Sequence, residues 1–338
     1  MMHSEVKVNE IRAAVDAEMK QVVDDCIPGE YGGMRPLLAY HLGWEGEGAG
    51  VEAQGKRVRP TLVCLCAAAA GGNWKLALPA AAAVELIHNF SLVHDDIQDQ
   101  SPLRRGRQTV WVKWGTPQAI NAGDLLFTLA FSALGRLRAQ FSSEMVLEAQ
   151  QVLQTTCIYL TGGQYLDLAY ESQRTLPAEA YWPMIGGKTA ALLACCAELG
   201  ALTALAGAEQ RRKFHEFGQK LGMAFQVQDD WLGIWGDAAR TGKSTASDLV
   251  SGKKTLPVVF ALQKRAAFAE RWLRGPLEPQ EVAQMARLLE EEGARHFTEE
   301  TADRLTQEAM HALEQTGGDV DGTRALLHLA EILLRREN

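Results

Sequence analysis

Residues 84–100 read VELIHNFSLVHDDIQDQ. On a helix Asp95 and Asp99 are four residues apart and face the same way, about 6 Å apart along the axis, and His88 falls on the same stripe seven residues before Asp95. Acids at i and i+4 repel by roughly 0.2–0.5 kcal/mol. This pair closes an apolar segment instead of lying in a charged face, so something cationic is expected to offset it. Carboxylate oxygens suit a hard divalent cation such as magnesium, which keeps several waters and binds through one or two carboxylates plus substrate phosphate.

The helical reading extends outward. Proline is absent from Gln118 to Leu176 and from Met184 to Leu256, and between these limits Ala, Leu, Gln and Glu recur at three- and four-residue spacing. No β-branched alternating runs bounded by turn dipeptides appear, and no strands alternate with helices at βαβ intervals, so the predicted fold class is all-α. Breaks are expected over residues 44–54, at Gly71-Gly72-Asn73, around Pro102, at Gly115-Thr116-Pro117, near Pro177 and Pro183, over 236–242 and near Gly275-Pro276. Pro60 is expected to open a helix at its first position. None of the breaks resembles a long linker and no internal repeat is visible, so residues 1–338 are expected to form a single domain.

The 338 residues are 47% hydrophobic and 22% charged, with 34 Lys and Arg against 42 Asp and Glu and a formal net charge of −8. That is enough chain for one large core or two smaller ones, and it excludes a disordered or collagen-like protein. The acidic balance argues against nucleic acid as a partner, so a phosphate-bearing ligand must be caught by local clusters of Lys and Arg. Cys26, Cys64, Cys66, Cys157, Cys195 and Cys196 show no C-x-x-C spacing and sit mostly in Ala- and Leu-rich runs, as buried free thiols do. The N-terminal segment carries Glu5, Glu10, Asp16 and Glu18 and no apolar signal core, so a cytoplasmic location is expected. Residues 189–208 hold Glu198 as their single charge but are built from small residues, so they read as a core helix and no membrane span is expected.

A second acidic pair, Asp229-Asp230, lies in FQVQDDWL at 225–232, again inside an apolar helical run. Basic residues gather as Lys56, Arg57 and Arg59; Arg104, Arg105 and Arg107; Lys188; Lys243; and Lys253 with Lys254. Taken singly, an acidic pair reads equally well as a solvated patch and a basic cluster as a solvated face. Their grouping is more informative: Arg104 and Arg105 follow the first acidic helix at once, and Lys243 follows the second within a loop. Acids that hold metal beside bases that hold phosphate suit a diphosphate bridged by metal ions. Two strings imitate nucleotide loops and fail: GDAARTGKS at 236–244 has five residues between its glycines, and WPMIGGKT at 182–189 has Trp at the first glycine position.

GKRVRP at 55–60, DDIQD at 95–99 with RRGR at 104–107, GGQYLD at 162–167, GKT at 187–189, FQVQDD at 225–230 and TGK through SGKKTLP at 241–257 stand in a particular order and spacing. In that order the chain resembles a trans-isoprenyl diphosphate synthase of the polyprenyl synthetase family, over about residues 55–260. The resemblance implies an isoprenoid-synthase-type helical bundle around a central cavity, a homodimer, and two acidic motifs facing each other across the cavity mouth. It implies that Asp95 and Asp99 bind two magnesium ions and Asp229 a third, with Asp96 and Asp230 supporting and manganese as a substitute metal. Arg104, Lys188, Thr189, Lys243 and Lys253 would hold the allylic diphosphate, with Gln226, Gln164 and Asp167 beside them. Lys56, Arg59, His88 and Arg105 would hold isopentenyl diphosphate.

The implied reaction is a head-to-tail (1'-4) condensation. Diphosphate leaves the allylic carbon, the isopentenyl double bond attacks carbon one, and the released diphosphate takes the proton lost afterwards. Asp95, Asp99, Lys188 and Asp229 would form the catalytic set, and His94, about 100° off the Asp95 direction, is read as structural. Family analogy places the floor for the growing chain at Phe90 and Ser91, with Ile87 deeper. A bulky Phe90 without an insertion in DDIQD resembles enzymes making the C20 product, geranylgeranyl diphosphate, with C15 farnesyl diphosphate next. One position departs from the family pattern: its second motif commonly reads D-D-x-x-D, whereas Gly233 holds the fifth place here. Activity is expected to survive, because Asp229 is the residue implied to carry the third ion. Gly233 keeps a non-catalytic subunit of a heteromeric synthase open as an alternative. A terpene cyclase or head-to-head coupling enzyme is the other, opposed by Lys56, Arg59 and Arg105 because a cyclase needs no second diphosphate site.

Overall fold

Long proline-free, Ala- and Leu-rich stretches fold as helices, and short Gly- or Pro-marked segments join them. The computed structural model describes residues 2–236 and 247–335; Asp237 and Lys243 lie outside the described residues. In chain order the helices among the described residues are α1 (Met2–Cys26), α2 (Arg35–His41), α3 (Val51–Gln54), α4 (Val58–Ala69), α5 (Leu78–Gln98), α6 (Val110–Trp114) and α7 (Thr116–Gly135). There follow α8 (Ser143–Glu171), α9 (Ala178–Ile185), α10 (Ala191–Thr203), α11 (Ala208–Trp235) and α12 (Ser247–Val250). The last five are α13 (Leu256–Lys264), α14 (Ala267–Trp272), α15 (Val282–Glu291), α16 (Ala294–Glu314) and α17 (Val320–Arg335). The all-α expectation holds, with one small addition: β1 (Leu103–Arg104) pairs antiparallel with β2 (Arg107–Gln108). Arg105 and Gly106 between them both have positive φ, 52° and 74°, the signature of the turn whose twist matches a two-residue hairpin.

Two proline expectations need correction. Pro60 is the third residue of α4, not its first; it is tolerated there because the N–H groups of the first turn have no helical acceptor anyway. Pro183 lies inside α9 and does not break it. Immediately beyond it the chain widens into a single π-helical turn, Gly186–Ala190, where the Ala191 N–H donates to the Gly186 carbonyl, and then enters α10.

The chain divides into two compact units. The first holds residues 1–153, 196–211 and 318–326. Its centre is α5, which packs most extensively on α7, with α4 and α1 against it. The stretch Ala80, Ala81, Ala82, Ala83, Val84, Leu86 and Ile87 is wholly buried; small side chains let these helices approach closely, and each fully buried large one contributes roughly 1.5–3 kcal/mol. The second unit holds residues 154–195, 212–317 and 327–338. Its core gathers Ile234, Leu249, Val258, Phe268, Met285 and Leu289, with Phe268 stacked on Trp272 at 5.5 Å and α13 lying on α16.

All six cysteines are free thiols, five buried and Cys26 exposed. Among the described residues, two helical stretches are long and apolar enough to cross a membrane, Trp74–Gln98 and Ala178–Thr203, and their apolar windows are 61% and 78% buried within the protein.

Candidate active site

The first acidic motif sits at the C-terminal end of α5. Asp99 caps the helix, its N–H donating to the Asp95 carbonyl at 2.8 Å, and no basic residue lies in the last turn. The negative pole of the helix dipole therefore adds to the repulsion between the carboxylates. Asp95 is half-buried and Asp99 exposed, while Asp96 points inward and is 2% exposed. Arg104, carried on β1, meets it with two nitrogens: Nε donates to Oδ1 at 2.9 Å and Oδ2 at 3.0 Å, and Nη2 lies 2.7 Å from Oδ1. Burial pushes the Asp96 carboxyl up and Arg104 pulls it back. The hairpin thus returns Arg104 to the helix it has just left and turns Arg105 the other way, where Nη1 donates to the Ala53 carbonyl at 2.8 Å.

The three cations of the 56–59 cluster have different surroundings. Lys56 is exposed. Arg57, with φ at 47°, is a buried structural group: Nη1 lies 2.8 Å from Glu85, Nη2 3.0 Å from Asp16, and Nη2 donates to the Leu42 carbonyl at 3.1 Å. Arg59 Nη1 lies 3.2 Å from His88 Nε2. Burial, then Arg59, Arg105 and Arg104, hold His88 well below the usual imidazole range, so it is neutral and accepts from Arg59. Arg59 Nε is buried without an acceptor, an orphaned donor of the kind an anionic ligand satisfies. Sequence reading missed His41. It lines a cavity of about 20 Å³ with Asp96, Arg104 and Arg105, room for one water. Its Nε2 is buried without a partner, and burial, then Arg104 and Arg105, push its pKa down to about 3.

Above the acidic motif on α5, Phe90 turns toward α7. Its ring meets His94 edge-on at 4.8 Å and Phe127 at 5.1 Å, and Phe127 meets Phe131 at 5.3 Å. Ser91 Oγ donates to the His88 carbonyl at 2.8 Å, and Ile87 is wholly buried. His94 Nε2 stands 3.4 Å from the Ile120 carbonyl and 3.6 Å from Asp124, contacts that fit a structural part.

In the second unit the π-helical turn presents Lys188 and Thr189. It can do so because α8 crosses it backbone to backbone: a Cβ on Gly163 would fall 2.0 Å from the Lys188 nitrogen, and one on Gly187 2.5 Å from the Tyr159 carbonyl oxygen. One glycine of each pair, Gly163 of GGQYLD and Gly187 of GGKT, is thereby explained; a Cβ on Gly162 or Gly186 would meet nothing within 4 Å. Lys188 Nζ pairs with Asp167 Oδ2. Thr189 Oγ1 donates to Gln226 Oε1 at 2.6 Å, and Gln226 Nε2 donates to Asp230 Oδ1 at 2.9 Å. Asp230 Oδ2 accepts from Tyr181 Oη at 2.7 Å and from the Leu256 N–H at 2.8 Å. Burial pushes Asp230 up to about 7, against the pull of those donors. Asp229, next to it on α11, is half-buried, and Lys253 is exposed.

The structure thus brings Asp96 to Arg104, Arg59 to His88, Lys188 to Asp167, and Thr189, Gln226 and Asp230 into one network; Lys56 and Lys253 stand at the surface. Tyr181 and the Leu256 N–H had no signal in the sequence, being neutral groups 49 and 26 residues from Asp230. The donor set fits a hard divalent cation. Among the described residues no three His, Cys, Asp or Glu side chains converge as a closed metal cage.

Comparison with known proteins agrees. The chain is 39% identical over 308 residues to a geranylgeranyl diphosphate synthase of Mycobacterium tuberculosis, covering 89% of this chain and 86% of that protein. It is 38% identical over 314 residues to a (2E,6E)-farnesyl diphosphate synthase of Mycobacterium bovis, with 90% and 86% covered. Among solved structures, a geranylgeranyl pyrophosphate synthetase from Pyrococcus horikoshii superposes with a TM-score of 0.89 at 31% identity, covering 99% of each chain. A polyprenyl synthetase from Streptomyces coelicolor gives 0.85 at 35% identity, covering 96% of this chain and 98% of the other. The polyprenyl synthetase pattern itself matches residues 49–291, which takes in both acidic motifs and every cation discussed above, and the chain belongs to that family of prenyltransferases.

Proposed function

We propose that this chain condenses isopentenyl diphosphate head to tail with an allylic diphosphate, releasing a short all-trans prenyl diphosphate, and that geranylgeranyl diphosphate is its main product. The observation that carries the reading is the pairing of acid and base within each motif group: Asp96 with Arg104 beside Asp95 and Asp99, and Lys188 with Asp167 in the same unit as Asp229. Relatives named for geranylgeranyl diphosphate at 39% identity and farnesyl diphosphate at 38% support a C20 product, with C15 next.

Asp95, Asp99 and Asp229 are the proposed ligands of magnesium, which supplies charge neutralisation for the departing diphosphate. Arg104, Lys188, Thr189 and Lys253 would hold the allylic diphosphate, joined by Lys243 outside the described residues, and Gln226 orients Thr189. Arg105, Lys56 and Arg59 would hold isopentenyl diphosphate, with neutral His88 fixing the Arg59 guanidinium. The unpartnered Arg59 Nε favours this over a cyclase, which needs no second diphosphate. Phe90, with Ser91 and Ile87 beneath it, would end the space for the growing chain. Residues 1–338 would form one catalytic domain, acting as a cytoplasmic homodimer; exposed Ile158, Tyr159 and Tyr165 on α8 support a partner surface.

The test is incubation with magnesium, isopentenyl diphosphate and dimethylallyl, geranyl or farnesyl diphosphate, with products read by mass spectrometry. The C20 diphosphate is expected from all three primers, and Asp95→Ala should lose at least about a hundredfold in rate with an unchanged circular dichroism spectrum. A folded native protein that lengthens none of the primers overturns the reading.

A further inference from the structure

His41 is a titratable group that the reaction outlined above leaves without a task. It closes α2 and lines the cavity of about 20 Å³ together with Asp96, Arg104, Arg105 and Arg107, and its Nε2 is buried without a partner. Burial, with Arg104, Arg105, Arg57 and Arg107 around it, keeps the ring neutral. A neutral imidazole has one N–H and one bare nitrogen. Facing guanidinium groups, the bare nitrogen is favoured at Nε2, which therefore offers an acceptor.

Two of the three arginines that line the cavity are already fixed. Arg104 gives Nε and Nη2 to Asp96. Arg107 gives Nε to the Glu47 carbonyl at 2.9 Å, Nη1 to that of Tyr40 at 2.7 Å and Nη2 to that of Glu45 at 3.0 Å. Among the described residues Arg105 commits Nη1 alone, to the Ala53 carbonyl at 2.8 Å. Its guanidinium lies against the backbone of Gly55, whose φ is 75°; a Cβ there would fall 2.5 Å from Arg105 Cζ and 2.6 Å from Nη2. Gly55 thus backs the Arg105 guanidinium, Ala53 holds one nitrogen, and the cavity that His41 lines lies against the same side chain.

We propose that His41 is a positioning residue for isopentenyl diphosphate: through one water in the cavity its Nε2 accepts from Arg105 and fixes the orientation in which that guanidinium meets the diphosphate. The device is the one seen directly at Arg59, whose Nη1 lies 3.2 Å from neutral His88. An imidazole without charge orients an arginine and leaves its full charge for an anion, whereas a carboxylate in its place would cancel that charge, as Glu85 and Asp16 do for Arg57. The inference rests on the reading of Arg105 as a ligand of isopentenyl diphosphate.

In the proposed reaction isopentenyl diphosphate needs an allylic partner, so its affinity for the full chain is measured without one, by titration calorimetry. Geranyl diphosphate alone is titrated beside it, and each protein is melted by circular dichroism. His41→Leu, which fills the space without an acceptor, should bind isopentenyl diphosphate at least about tenfold more weakly, bind geranyl diphosphate as native protein does and melt no lower. His41→Gln, which keeps an acceptor, should stay within about threefold of native. Added to Arg105→Ala, His41→Leu should cost less than about twofold more, because its effect passes through Arg105. Native affinity in His41→Leu, an equal loss for both diphosphates, a loss of about tenfold on top of Arg105→Ala, or the same loss in His41→Gln overturns the inference. Primer elongation run in parallel separates it from the proposed function. If native protein elongates and His41→Leu keeps native affinity, the inference alone fails. If native protein binds isopentenyl diphosphate but lengthens no primer, the proposed function fails.

Discussion

Arg57 and Arg59 stand two positions apart in one motif and do different physical work. Arg57 holds two carboxylates in the protein interior, Glu85 at 2.8 Å and Asp16 at 3.0 Å, with side-chain exposures of 2%, 3% and 16% for Arg57, Glu85 and Asp16. Removing it strands Glu85 as a buried, uncompensated charge, so Arg57→Ala should cost about 3–5 kcal/mol of stability by urea denaturation. Arg59 has a neutral neighbour and an idle Nε; Arg59→Ala should unfold at nearly the native urea concentration and raise KM for isopentenyl diphosphate. Equal losses of stability in both variants would contradict this division. Spacing alone does not separate them, because the distinction is made by Glu85 and Asp16, which lie 28 and 41 residues away from Arg57.

At the scale of elements, Asp230 ties α9, α11 and the start of α13 together through Tyr181, Gln226 and the Leu256 N–H. Its folded pKa of about 7 lies above the roughly 3.9 of an unfolded aspartate. Between those values the folded chain keeps a proton that the unfolded chain has released. Asp230 therefore contributes most below about pH 4, and that contribution is lost as pH rises through 7. In metal-free protein, Asp230→Asn should gain stability on the native chain between pH 5 and 8, by up to about 1 kcal/mol per pH unit over the steep part. Urea midpoints that run parallel over this range would show that the carboxylate is already ionised. Helices were readable because three- and four-residue periodicity is a local property, and so was the grouping of acids with bases. The π-helical turn, the passage of α9 through Pro183 and the Leu103–Gln108 hairpin were not. Each depends on what packs against it: Lys188 presents itself from a widened turn only because Gly163 lets α8 come within backbone distance.

For the molecule as a whole, an acidic chain with a net charge of −8 is expected to bind a diphosphate through metal ions and local cations together. Magnesium with inorganic pyrophosphate should then raise the melting temperature, by the equivalent of about 2.7 kcal/mol at a hundredfold excess over Kd, and EDTA should reverse the rise. Pyrophosphate alone giving the same increase would argue against metal bridging. The family match extends from residue 49 to residue 291 and so spans parts of both compact units. The pairing of Arg104 with Asp96 and of Lys188 with Asp167 also bears on how an anion approaches. Each cation is matched by an opposite charge within contact range, so at a distance the two behave as small dipoles whose fields fade faster than those of bare ions. Long-range steering by these two groups is correspondingly weak, and capture depends on collision followed by an exchange of partners at the surface of contact.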